Sequence, residues 1–220
     1  MLKQLRQIVN LLYENSCLIC NTSSKDLLIC PTCEEGFIKR EENYTKFLQG
    51  ITVFSWGMYE GKLRQGILEL KGGKKKLANY FSKKLLNFWN KKLQQIKHTK
   101  YLVISVPSHK KRIKERGYCQ SSLIANYFAK SLGLPYSSGF VIRIKETLHM
   151  NNLPDINARA ENIKDAFQVM SKAPTKKNIL IIDDILTSGS TMCELAKTIH
   201  SKHPDLNLIG LTVASGDTYN

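Results

Sequence analysis

Two nearly continuous apolar runs of strand length stand out in the second half of the chain, at residues 101–106 (Tyr-Leu-Val-Ile-Ser-Val) and 178–182 (Asn-Ile-Leu-Ile-Ile). Such runs suit parallel strands buried on both faces. Between and after them the period changes. Residues 121–132 carry Leu123, Ile124, Tyr127 and Phe128 at helical spacing and end at Gly133, a C-cap residue. Residues 140–144 can form another strand. Residues 192–200 place Met192, Leu195, Ala196 and Ile199 on one helical face. Strands alternating with helices predict an α/β domain built on a parallel sheet flanked by helices.

Upstream, residues 52–59 have β-rich composition and run into a Glu60-Gly61 turn. Residues 62–70 read as a helix stopped by Gly72-Gly73. A second helix is expected over residues 75–96, with Leu77, Phe81, Leu85 and Phe88 as its apolar stripe. Lys76 and Lys83 lie off that stripe, while Lys84 falls within its arc and snorkels. Tyr80, Phe88 and Trp89 interleave with lysines, as on some single-strand-binding surfaces. An ordinary amphipathic helix with aromatic core residues is the stronger reading. Leu5, Ile8, Val9 and Leu12 recur at helical spacing and predict a short N-terminal helix. Residues 34–46 are polar and charged and read as a linker with some helix.

The 220 residues, 42% of them hydrophobic, suit one α/β domain with a small appendage. The division expected is 1–45 for the N-terminal part and 46–220 for the α/β domain. No run of about 18 apolar residues predicts a membrane span. The N-terminus has neither the apolar centre nor the small-residue cleavage site of a signal peptide. A cytoplasmic location is therefore expected.

The net charge of +15 is concentrated: residues 71–116 hold fifteen Lys or Arg against the single acid Glu115, a net +14. A basic surface of this kind gathers anions, either nucleic acid or phosphorylated small molecules. A solvated lysine-rich face is the alternative that the charge alone leaves open.

Four of the six cysteines form two pairs, Cys17-x-x-Cys20 and Cys30-x-x-Cys33. Each pair closes a tight turn that aims two thiolates at one ion, the pattern of a structural tetrahedral zinc site. Disulfides fit poorly in a chain without export signals, and a redox Cys-x-x-Cys normally occurs once. Leu27, Leu28 and Ile29 read as a strand before the second pair. Cys119 and Cys193 stand apart as buried or incidental thiols.

The most informative segment follows the second apolar run. Asp183 and Asp184 mark the end of the strand, and a loop of Thr187, Ser188, Gly189, Ser190 and Thr191 leads into the last helix. Gly189 permits positive φ and close backbone approach. Hydroxyls and amides crowd a helix N-terminus, where the dipole favours a phosphate. The two carboxylates cannot hold that phosphate. They suit a ribose diol, or a magnesium-bound face of the same ligand. Phosphate beside diol describes a ribose 5-phosphate. Neither a Walker loop nor a Gly-x-Gly-x-x-Gly loop is present.

Residues 182–191, Ile-Asp-Asp-Ile-Leu-Thr-Ser-Gly-Ser-Thr, resemble the signature loop of type I phosphoribosyltransferases. The wider chain resembles the ComF family, in which a four-cysteine finger precedes a phosphoribosyltransferase-like domain. Tyr59-x-Gly61 with Leu70-Lys71, Val106-Pro107-x-His109, Arg116-Gly117-Tyr118-x-Gln120 and Arg159-x-x-Asn162 with Ala166-Phe167 carry that resemblance. Cys119 stands where the family has Asn, and Met150 where a Gln is usual. These departures bear on the acceptor side more than on the phosphate loop.

The resemblance implies phosphoribosyl pyrophosphate with Mg2+ as ligand and Zn2+ on Cys17, Cys20, Cys30 and Cys33. Thr187, Ser188, Gly189, Ser190 and Thr191 would hold the 5-phosphate. Asp183 and Asp184 would engage the ribose hydroxyls. Ser108, Lys110, Lys111, Arg112 and Arg116 would neutralise the diphosphate from a polar loop that reads as a lid. His109 could assist protons, bind phosphate or face solvent. Three functions stay open: a transferase with an unknown acceptor, a non-catalytic reader of the ligand, and a DNA-uptake component that meets single-stranded DNA. The last is compatible with either of the others. Related folds often pair, which leaves a homodimer open.

Overall fold

The computed structural model describes residues 16–24, 27–39, 45–93, 96, 100–148, 155–170 and 177–216. The N-terminal helix expected around Leu5–Leu12 and the departure at Met150 lie outside these residues. The strands are β1 (Thr45–Leu48), β2 (Ile51–Met58), β3 (Tyr101–Ser105), β4 (Val141–Arg143), β5 (Phe167–Val169), β6 (Asn178–Leu186) and β7 (Asn207–Ser215). The helices are α1 (Pro31–Glu35), α2 (Gly61–Lys71), α3 (Lys76–Lys92), α4 (Lys110–Arg116), α5 (Gln120–Leu132), α6 (Ile156–Ile163) and α7 (Ser190–Lys202).

The main sheet has the order β1-β2-β7-β6-β3, and all its pairings are parallel except the β1–β2 hairpin. A small antiparallel pair, β4 with β5, stands apart. This is the mixed α/β fold with a mostly parallel sheet that the apolar runs predict.

Strand alternation sorts the sheet's side chains into two layers. Leu180, Ile182, Leu211 and Val213 face a core shared with α2, α3, α5 and the cysteine segment. Ile179, Ile181, Ile104 and Val53 face a core shared with α7 and the β4–β5 pair. Both faces are covered, so β6 reads as a continuous apolar run rather than an alternating one.

Three local expectations differ from the fold. Residues 27–29 bend instead of forming a strand, because Leu18 and Leu27 spend their amides on Leu28 and Ser24 carbonyls within the knuckle. The basic loop after β3 contains α4, capped by His109 and closed by Gly117 at φ 80. Its cap residues, not its polarity, decide its structure. Strand β6 continues past Ile182 to Leu186 because β7 keeps pairing with it after β3 has ended. Asp183 and Asp184 therefore lie inside the strand, on its overhang.

Phe81 is fully buried, between Phe37 of the cysteine segment and Gly66 of α2. Truncating it opens a cavity where α2, α3 and the knuckle meet. Phe81→Ala is expected to lower the unfolding free energy by about 3–5 kcal/mol, read as a drop in the urea midpoint at unchanged slope.

Candidate functional site

Asp183 and Asp184 are 9% and 5% exposed, yet both line a cavity of about 160 Å³ at the carboxyl ends of β3 and β6. Each is held by a different helix. Ser121, in the first turn of α5, donates its hydroxyl to Asp183 Oδ1 at 2.6 Å. The Asp184 amide donates to the same oxygen at 2.9 Å. Lys71, the last residue of α2, brings its ammonium to 3.1 Å from Asp184 Oδ2. That contact is an ion pair without the alignment of a hydrogen bond.

The two carboxyls are driven apart in proton affinity. Burial, then the adjacent Asp184 charge, pushes Asp183 well above the ordinary carboxylate value. Burial acts on Asp184 in the same direction, but Lys71 and the hydrogen bonds from Asp183 and Gln120 outweigh it and hold Asp184 low. Burial also works against the Lys71 charge, and Asp184 more than compensates, so that ammonium stays above its usual range. Of the two carboxyls, Asp183 thus has the higher proton affinity and Asp184 the lower.

Of the residues expected at the site, Ser108, Arg112, Asp183, Asp184, Thr187 and Thr191 share this cavity. Gly189 turns the loop at φ 85, and a Cβ there would sit 2.8 Å from Leu48 Cδ1, so glycine is required. Beyond it α7 begins at Ser190. Ser188 and Ser190 face the other way, into a separate cavity of about 530 Å³ behind the loop, and their hydroxyls stand 2.9 Å apart. His109 caps α4, its Nδ1 accepting from the Lys111 amide at 3.4 Å. Lys110 and Lys111 are exposed, and Lys111 pairs with Glu146 at 2.8 Å. Arg116 bonds Gln120 Oε1 and lines a neighbouring cleft.

The cavity has walls to which the sequence alone assigned no role in the site. Lys71 and Ser121 hold the two carboxyls, and Tyr59, Gln120 and Arg143 also line the cavity, beside Val106, Pro107 and Ile185. Arg143 is buried on β4, bonds Thr147 Oγ1 and lies over the Phe167 ring at 5.6 Å, with its Nε unpartnered. Burial, then Arg112, pulls its guanidinium down to about 10. A lone arginine in the apolar run of residues 140–144 was the available signal for it. Lys71 had one too, as a cation at a helix end before a Gly-Gly stop.

The four cysteines form a second centre. Their sulfurs all lie within 4.8 Å of one another. Cys20 and Cys30 Sγ are 3.6 Å apart, close to the edge of about 3.8 Å of a tetrahedron with metal–sulfur bonds of about 2.3 Å and far beyond a disulfide bond. The Ile19 and Cys30 amides point at Cys17 Sγ at 3.4 and 3.3 Å, which favours a thiolate. A hydrogen bond to Thr22 brings the Cys20 thiol down to about 6. The cluster could hold a metal ion such as zinc.

No protein-family model matches the chain. Among curated proteins, the DNA utilization protein YhgH of Salmonella typhi is 32% identical over 98 residues, 44% of this chain and 42% of that protein. Competence protein F of Haemophilus influenzae is 30% identical over 99 residues, 44% and 43% of the two chains. The matches thus span less than half the length of these curated relatives. Among solved structures, adenine phosphoribosyltransferase from Saccharomyces cerevisiae matches 61% of this chain and 68% of its own at 16% identity and a TM-score of 0.37. A Staphylococcus aureus hypoxanthine phosphoribosyltransferase matches 62% and 64% at 16% identity and a TM-score of 0.38. Scores at that level carry no weight, and the fold stands on the chain's own strand order.

The molecule is thus a mixed α/β protein with a four-cysteine cluster and a diacid strand end beside a glycine-turned loop. Together with the sequence matches, these features fit a ComF-like family.

Asp183 gives the site a pH signature. A carboxyl whose folded pKa is raised contributes stability below its ordinary pKa, and that contribution is lost as pH rises through the raised value. Asp183→Asn keeps the acceptor for Ser121 and removes the buried ionisation. Its melting temperature is expected to match the parent below about pH 4 and to exceed it increasingly at higher pH, measured by thermal melts from acid to neutral.

Proposed function

We propose that the chain binds phosphoribosyl pyrophosphate with magnesium in the carboxylate cavity, and that it acts in DNA uptake. The observation that supports this most is the meeting of three features in one cavity: the buried diacid, the Thr187 and Thr191 edge of the loop at the start of α7, and Arg112 opposite. A phosphate belongs at the helix start, where amides lack helical acceptors. A ribose diol belongs at the diacid, whose carboxyl oxygens can accept from its hydroxyls. The diphosphate belongs toward Ser108 and Arg112, whose charge would neutralise a leaving diphosphate. Magnesium would arrive on the ligand's own oxygens, as it does on phosphates generally.

The DNA-uptake reading rests on the names of the relatives and on the basic stretch around α3 and α4. Zinc in the cysteine cluster would close the knuckle that packs on α2.

Calorimetric titration with phosphoribosyl pyrophosphate and magnesium tests the ligand. The parent chain is expected to bind, and the double variant Asp183→Asn, Asp184→Asn to lose binding; unchanged affinity in that variant rules out the site. Pyrophosphate release with candidate bases present then separates a transferase from a protein that reads the ligand as a signal.

For the cluster, elemental analysis is expected to find about one zinc per chain. Cys33→Ser should lower that content and the melting temperature together, and chelation of the parent should reproduce the loss of stability.

A further inference from the structure

A second cleft adjoins the carboxylate cavity, with Lys71 and Arg112 as shared walls. It measures about 340 Å³ and is closed by Gly72, Gly73, Glu115 and Arg116. We propose that this cleft takes a backbone phosphate of a single-stranded nucleic acid, so that the strand lies against the mouth of the carboxylate cavity. The proposal deepens the DNA-uptake reading and rests on it for the class of partner.

Lys71 is paired with Asp184, but the two guanidiniums of the cleft are held by neutral groups. Arg112 Nη2 donates to the Thr147 carbonyl at 2.7 Å, and Arg116 to the Gln120 side-chain oxygen. Neither guanidinium forms an ion pair among the described residues. Burial, then the Arg116 charge, depresses Arg112, so the two repel across the cleft. An anion between them relieves that repulsion.

The charge count favours an anion as well. Residues 71–76 and 110–116 border the cleft and carry nine Lys or Arg; Lys71, Lys74 and Lys111 pair with Asp184, Glu69 and Glu146, which leaves six cations against Glu115. The C-termini of α2 and α4 also end here, and each contributes about half a negative charge. Those two dipoles and Glu115 together amount to about two negative charges, well short of the cations. Lys75, beside Gly117 with its ammonium 5.0 Å from the Tyr118 ring, extends the basic rim.

The shape fits a chain of phosphates better than a base. Two glycines form one wall and leave it without side chains, so a sugar–phosphate backbone can approach the peptide closely. No described aromatic ring lines the cleft on which a base could stack.

Gly72 lines the cleft but not the carboxylate cavity, so substitutions there test one site and spare the other. Its φ is −81, and an added Cβ would make only ordinary contacts, at 3.4 and 3.5 Å. Binding of a fluorescein-labelled single-stranded deoxythymidine 20-mer is followed by anisotropy across a salt series. Gly72→Glu is expected to weaken it about fivefold at 0.1 M salt, and Gly72→Lys to tighten it by a similar factor. The salt slope should move by about 0.7 in each direction. Lys197→Glu, on the exposed face of α7, controls for net charge.

If the strand does not bind the parent at low salt, or if the Gly72 variants shift affinity no more than Lys197→Glu does, the cleft is not the site. Titration of the same variants with phosphoribosyl pyrophosphate keeps the two readings apart. Its affinity is expected to stay within about twofold while strand affinity moves about fivefold. Loss of strand response with sugar-phosphate binding intact overturns only the cleft, and a parent that binds the strand but not phosphoribosyl pyrophosphate overturns only the cavity assignment.

Discussion

Two neighbouring carboxyls buried at the overhang of one strand set the terms for everything around them. Side by side and away from water, they cannot both stay ionised without help. The fold answers with two different partners. Lys71 supplies a positive charge to Asp184, and Ser121 supplies a hydrogen bond to Asp183, whose proton affinity burial raises. Both partners come from helix ends, where a side chain can reach past the sheet edge. The C-terminus of α2 and the N-terminus of α5 are therefore fixed by electrostatics as much as by packing.

That requirement ties the cysteine segment to the cavity through one helix. Gln65 of α2 donates to the Ile19 carbonyl at 2.9 Å, and Lys74, just past its end, donates to the Leu18 carbonyl at 2.9 Å. Tyr118 closes the other side by donating to the Leu70 carbonyl. The residue that follows Leu70 is the lysine that neutralises Asp184. Helix α2 is thus clamped on the knuckle along its length and delivers Lys71 at its tip. A disturbance of the knuckle that tilts this helix moves a charge next to the diacid.

Much of this was legible in the sequence wherever one local cause decides the structure. The run at residues 178–182 was readable because both its faces are buried. Gly189 was readable because the turn needs a positive φ that only glycine takes without strain. The cysteine pairs were readable because metal-site geometry is local. What was hidden depends on contacts distant in sequence. Nothing near Asp184 marks Lys71 as its partner, since 113 positions separate them. The continuation of β6 to Leu186 depends on β7, whose pairing outlasts that of β3. Helix α4 was read as a loop because its lysines mask a short capped turn between His109 and Gly117. The split of the 187–191 loop, with Thr187 and Thr191 on one side and Ser188 and Ser190 on the other, follows from the turn at Gly189. Composition alone does not encode it.

The cavity sits where it does because of chain topology. After β3 the chain leaves toward α5, which packs on the face shared with α2 and α3. After β6 it leaves toward α7, which packs on the opposite face. Adjacent parallel strands whose connections depart to opposite faces leave a crevice between their carboxyl ends. Ser108 lies beyond β3 on one side of that crevice, and the diacid and Gly189 turn of β6 lie on the other. The small β4–β5 pair supplies Arg143 above it, and α2 brings Lys71 in from the flank. A site with acids at its base and cations on three approaches follows from the strand order itself. The same opening leads directly onto the basic cleft between α2 and α4, with Lys71 and Arg112 as shared walls.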